Sequence, residues 1–217
     1  MTDIITTEAQ LAALLGPVSR NSQLKETATL NATYRRWIER SPFAVVATSG
    51  ADGLDASPRG DPVPLARVVD ERTILLPERN GNNRADGLRN LLADPRIALI
   101  FLIPGVGETL RVNGRAVITA DPALLASFAV NGKPPRCVLR ITVEKVFFQC
   151  SRAMLRSKLW DAASMAAPGE VPTAGEMLAA ATAGEERYTS LVGSPIRPTK
   201  LRLVVAMARS PAARMPM

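Results

Sequence analysis

Two short stretches carry the side chains best suited to hold an anion: Ser57-Pro-Arg-Gly-Asp61 and Asn80-Gly-Asn-Asn-Arg84. The second runs straight into Ala85, Leu88, Leu91 and Leu92, whose spacing predicts a helix with these four on one apolar face. Free N–H groups and the macrodipole at such a helix N-terminus favour an anion. Arg84 adds a fixed positive charge and Asn82 or Asn83 can donate a side-chain amide, so a terminal phosphate is the natural guest. The competing expectation is that Asn82 or Asn83 merely caps the helix while Arg84 sits in solvent. Arg59 stands between a proline and a glycine, and Gly60 lets backbone approach a ligand closely. Arg59 then either holds that ligand or forms a surface ion pair with Asp61. Arg111, Asn113 and Arg115 share one face of a strand, lining a cleft or facing water. Trp37 and Trp160 could stack on a flat ring, although core packing is the commoner use. Ser57 has no histidine to activate it and is discounted as a nucleophile.

That last point is general, because the 217 residues include no histidine. Ser-His-Asp and Cys-His hydrolases, HExxH metalloproteases and His-ligated haem or zinc are thereby excluded. Two cysteines, Cys137 and Cys150, cannot build a disulfide scaffold or a closed zinc site, so no metal is expected. They read as buried thiols of a reducing cytoplasm. Redox or group-transfer chemistry therefore points to an organic cofactor. The net charge of +7 favours anionic ligands. The basic residues form no tract and only 4% of residues are aromatic, which disfavours nucleic acid as a partner. No apolar run approaches the roughly 18 residues of a membrane span. The start, Met1-Thr-Asp-Ile-Ile-Thr-Thr-Glu8, is acidic where a signal peptide is basic.

The elements that must position these residues are legible in outline. Helices are expected over Glu8–Leu15, stopped by Gly16-Pro17, and over about 22–40, with Leu30, Tyr34, Trp37 and Ile38 on one stripe. From Phe43 the period shortens. Strands are expected at 43–48, 55–59, 63–69, 73–77, 96–103, 108–119 and 136–148, with Asp52-Gly53 in the first turn. Pro58, Pro62 and Pro64 mark an edge or bulged strand, so about six of these are counted as sheet. Asp121-Pro122 starts a further helix, and Thr173-Ala-Gly-Glu176 is a capping box before another. Parallel βαβ alternation is not sustained. The expected fold is mainly β with helices: a six-stranded antiparallel barrel as one domain of 217 residues. N-terminal helices occupy 1–41, the barrel core 42–150 and a C-terminal helical extension 151–217.

In this order the pieces resemble the pyridoxamine 5′-phosphate oxidase-like family of split β-barrels that bind FMN. The likeness runs from about Phe43 to Phe148. It rests on Ser57-Pro-Arg-Gly60, Gly81-Asn-Asn83, Gly107-Glu-Thr-Leu-Arg-Val-Asn-Gly114 and, beyond the barrel, Arg156-Ser-Lys-Leu-Trp-Asp161, a combination similar to an uncharacterised branch of that family. The resemblance implies a homodimer with FMN in a cleft between subunits. Ala56, Ser57, Pro58 and Arg59 would border the ring and ribityl chain, and Leu76 and Pro77 would line the flavin. Asn82, Asn83 and Arg84 would hold the phosphate, with Thr109 near the ring. Gln149, Ser151, Arg152, Lys158 and Trp160 would come from the second subunit. The implied activity is flavin-dependent oxidation–reduction, with a non-catalytic flavin or nucleotide carrier or sensor as the alternative. The substrate-holding Arg-x-His element of the vitamin B6 oxidase has no counterpart here, so the implied substrate is a different, unknown small molecule.

Overall fold

The computed structural model describes residues 4–51 and 53–182. Asp52 of the expected Asp-Gly turn and the 183–217 part of the expected C-terminal extension lie outside them. The chain divides into two compact units, Met1–Ser164 and Met165–Met217. In the second, α7 (Ala174–Ala181) starts at the expected capping box: Thr173 Oγ1 accepts from Glu176 N while Glu176 Oε2 accepts from Thr173 N. No helix among the described residues is long and apolar enough to cross a membrane.

In the first unit, α1 (Glu8–Leu15) is closed by Thr7 and Gln10 at its start and by Gly16, at φ 71°, at its end. The single helix expected over about 22–40 is instead two, α2 (Arg20–Leu24) and α3 (Ala32–Arg40). Between them Thr27 exchanges both backbone hydrogen bonds with Val146, at 2.9 and 2.8 Å, so a tertiary pairing overrides local helix propensity. The apolar stripe survives this break. Leu30, Tyr34 and Ile38 are buried, and Trp37 packs against the same core.

The strands are β1 (Phe43–Gly50), β2 (Gly53–Gly60), β3 (Arg67–Val68), β4 (Thr73–Glu78), β5 (Arg96–Leu102), β6 (Thr109–Thr119) and β7 (Cys137–Gln149). They form one antiparallel sheet in the order β2-β1-β5-β6-β7-β4-β3. The sheet has seven strands rather than six. The expected strand 63–69 is reduced to the two-residue β3, in a stretch where Pro62 and Pro64 offer no backbone donor. One apolar cluster fills the interior of this curled sheet, with Phe101, Leu76, Leu99, Leu110, Leu139 and Ile141 almost wholly buried. No ladder joins β2 to β4. Side chains bridge them instead: Arg59 at the end of β2 pairs with Glu78 at the end of β4, and Asp61 pairs with Arg79. The barrel is split there.

Three short helices decorate the sheet: α4 (Asp86–Ala93), α5 (Pro122–Ser127) and α6 (Arg152–Ser157). The α4 helix lies on β1 and β2, with Gly87 beside Asp55 and Asn90 Nδ2 donating to Thr48 Oγ1 at 3.2 Å. Leu91 is buried, but Leu92 is 79% exposed rather than on the inner face. It stands about 100° further round a helix whose contact face is already set by Gly87, Asn90 and Leu91. On β6 the expected alternation holds, with Val112, Gly114 and Ala116 buried. The register shifts between Asn113 and Gly114. A Cβ on Gly114 would collide with the Thr142 carbonyl oxygen, so that crossing needs glycine.

Candidate functional site

The split between β2 and β4 opens into a cleft of about 650 Å³, walled by β2 on one side and by the chain from Pro77 into α4 on the other. Alternation along β2 turns Asp55, Ser57 and Arg59 toward it. A hydrogen-bond chain runs along this wall. Ser57 Oγ donates to Asp55 Oδ2 at 3.0 Å, and Arg59 Nη1 donates to Ser57 Oγ at 2.9 Å. Arg59 Nε then donates to both oxygens of Glu78, at 2.7 and 2.9 Å. The ion pair with Asp61, one of the two alternatives for Arg59, is therefore not formed. Asp61, beyond the strand end, is taken by Arg79 Nε at 2.7 Å, while Arg79 Nη1 donates to the Phe128 carbonyl.

The opposite wall is the turn 80–85. Asn82 Oδ1 accepts from Arg84 N at 3.1 Å, closing a local Asx turn. Asn83 and Ala85 both have left-handed backbone, at φ 60° and 53°. Ala85 is the N-cap of α4, and no side chain accepts from the helix there. Neither asparagine caps the helix, so its first N–H groups have no side-chain partner, and Ala85 to Leu88 line the cleft. Arg84 is 79% exposed and donates from Nε to Asp86 at 2.5 Å. That bond, and then the Asp86 charge, push the Arg84 pKa up, so the guanidinium stays charged. Arg136, just before β7, reaches the same cleft and donates from Nε to Asn80 Oδ1.

These distances show what the arrangement can do. One end of the cleft offers backbone N–H groups, amides and guanidinium groups, which suit an oxyanion. Elsewhere Pro58, Leu65 and Pro77 present apolar walls to a flat group.

A family model described as pyridoxamine 5′-phosphate oxidase matches residues 30–150, more than half of the chain. The chain belongs to that family. Among solved structures, HupZ of Group A Streptococcus is 21% identical, with 56% of this chain and 95% of that one covered and a TM-score of 0.46. An FMN-binding protein from Syntrophomonas wolfei is 11% identical over 52% of this chain and 82% of its own, with a TM-score of 0.42. A FAD-binding protein from Mesorhizobium loti is 16% identical over 57% and 94%, with a TM-score of 0.40. Comparison with curated proteins gives no match.

The pyridoxamine 5′-phosphate oxidase segment contains the whole cleft. Of the residues expected from the sequence, Ser57, Pro58, Arg59, Pro77, Asn82, Asn83 and Arg84 line it together. Ala56 lies on the other, exposed face of β2, and Leu76 is buried in the core. The remaining group gathers elsewhere. Thr109 is buried and pairs with Gln149 across β6 and β7. A Cβ on Gly107 would lie 2.6 Å from Ser151 Cβ, and Trp160 Nε1 donates to the Val106 carbonyl at 2.9 Å. Arg152 opens α6 and Lys158 closes it with left-handed backbone at φ 53°. Asp55, Glu78, Arg79 and Arg136 belong to the cleft but were not singled out in the sequence. Nothing local marks them: Glu78 and Arg136 meet only because β4 and β7 pair, with Arg136 N donating to the Glu78 carbonyl at 2.8 Å.

Proposed function

We propose that the cleft binds a flavin, FMN, and that the protein is a flavin-dependent oxidoreductase acting as a homodimer on a small molecule other than pyridoxamine phosphate. The observation that carries this is the cleft itself. Its volume of about 650 Å³ lies within the range of cofactor pockets, and its lining brings together amides, guanidinium groups and the uncapped start of α4, which suit a phosphate. The residues present fit the group. The uncapped start of α4, Asn80, Asn82 and the guanidinium groups suit the phosphate, while Pro58, Leu65 and Pro77 suit a flat apolar ring. When bound, a flavin supplies hydride and electron transfer. The chain's own part is to position it, keep its phosphate neutralised and hold the Arg59 guanidinium, braced by Glu78 and Ser57, as a fixed donor along one wall. The cluster of Thr109, Gln149, Ser151 and Trp160 lies apart from the cleft lining, which favours a second copy completing the site. Two free thiols accord with a reducing cytoplasm.

A second function is favoured by one specific observation. Each cleft carboxylate is engaged: Asp55 with Ser57, Glu78 with Arg59 and Asp86 with Arg84. With no histidine either, the cleft presents no idle proton-transfer group among the described residues, which suits a flavin carrier or sensor. The visible absorbance spectrum after FMN addition and desalting tests binding. Retained flavin bands are expected, and a colourless protein refutes both functions. NADH or NADPH consumption then separates them, and sedimentation at micromolar concentration tests the dimer.

A further inference from the structure

Resting on the flavin site proposed above, we infer that Arg136 is the cation that takes the phosphate in the cleft, supplied by the start of β7 rather than by the turn before α4. Four arginines reach the cleft, and three are already committed. Glu78 holds Arg59, Asp61 holds Arg79 and Asp86 holds Arg84. Among the described residues Arg136 has no carboxylate partner. Its side chain makes one hydrogen bond, from Nε to Asn80 Oδ1, leaving both Nη groups without an acceptor among the described residues.

The difference is electrostatic. An anion arriving at Arg59, Arg79 or Arg84 must displace a carboxylate or settle beside its negative charge. At Arg136 it displaces only water. Asn80 engages Nε alone, so the two Nη groups of this exposed side chain are left as a fork suited to two phosphate oxygens. The base of the side chain is fixed, since Arg136 N donates to the Glu78 carbonyl at 2.8 Å and the next residue, Cys137, is buried. Arg136 and Asn80 line the cleft together with Ala85 and Asp86 at the uncapped start of α4, so the backbone donors and the fork serve one guest. Arg136 thereby sets the preference for a phosphorylated flavin over the free riboflavin.

The test compares FMN and riboflavin binding, by quenching of flavin fluorescence, to the full chain and to Arg136→Gln and Arg136→Lys. Arg136→Gln is expected to weaken FMN about tenfold, the scale of one charge-assisted hydrogen bond, and to leave riboflavin unchanged. Arg136→Lys keeps the charge but loses the fork, so it recovers only part of the FMN affinity lost in Arg136→Gln. Equal loss of both flavins shows a merely structural residue and overturns the assignment, as does undiminished FMN binding. If the wild type binds neither flavin, the flavin site falls and inorganic phosphate decides on Arg136 alone. A thermal shift with phosphate that Arg136→Gln abolishes supports the anion site, and no shift in the wild type overturns it.

Discussion

The ion pair across the split makes a sharp prediction, because Arg59 and Glu78 do there what ladder hydrogen bonds do elsewhere in the sheet. Arg59→Met leaves the Glu78 carboxylate, only 9% exposed, without two charge-assisted bonds of 2.7 and 2.9 Å. Breaking a fully buried pair costs about 3–5 kcal/mol, and a single bond to a charge contributes about 1.5–3. Arg59 is 19% exposed, so water recovers part of the loss and about 2–3 kcal/mol is expected. Glu78→Leu strands the guanidinium, which keeps Ser57 and the Pro58 carbonyl, and costs about 2 kcal/mol. The double variant removes both charges and costs about 1–2 kcal/mol, well below the sum of the singles. Urea unfolding followed by Trp37 and Trp160 fluorescence and by circular dichroism measures all three. At about 2–4 °C per kcal/mol, Arg59→Met lowers Tm by about 4–12 °C. Single variants within about 0.5 kcal/mol of wild type, or costs that simply add, refute the idea that this pair holds the split together.

Other predictions follow from the same geometry. Asp86→Asn frees Arg84 and removes a negative charge from the start of α4, so FMN binds up to about fivefold more tightly at low salt and less so at high salt; weaker binding refutes this. Gly114→Ala drives a Cβ into the Thr142 carbonyl oxygen and lowers stability by about 2–3 kcal/mol in urea, and a neutral variant refutes the close approach. Hydrogen bonds from Arg96 hold the Asp94 carboxyl down from 3.8 to about 2, so its contribution to stability is present above 3.8 and lost as pH falls from there toward about 2. Carboxyl NMR titration should show that depressed midpoint and its return toward 3.8 in Arg96→Gln; a wild-type midpoint near 3.8 refutes it. Burial first, then the Glu78 charge, push the Cys137 thiol up, whereas Cys150, expected to be buried, is exposed because it lies just past the end of β7. One thiol should therefore react quickly with a disulfide reagent in the native protein and a second only on unfolding, and two fast thiols refute this.

By itself the sequence determined most of what depends on near neighbours along the chain. Caps at Asp121 and Thr173, the alternation of β6 and the stripe of Leu30, Tyr34 and Ile38 are local patterns, and a local conformation satisfies each of them. The turn 80–84 and the Ser57-Pro-Arg-Gly60 element could be found because helix starts and glycine-flanked arginines have short signatures. Tertiary structure decided everything that depends on who meets whom. Thr27 leaves a helix because Val146 offers it two backbone bonds. Arg59 takes Glu78 rather than the nearer Asp61, since β2 and β4 end side by side while Asp61 has already passed to Arg79. Arg136 stands 52 positions after Arg84 and becomes its neighbour in the cleft only through the pairing of β4 with β7. An ion pair or a ligand fork is set by distance in space, and the spacing of residues along a chain carries that distance only within one element.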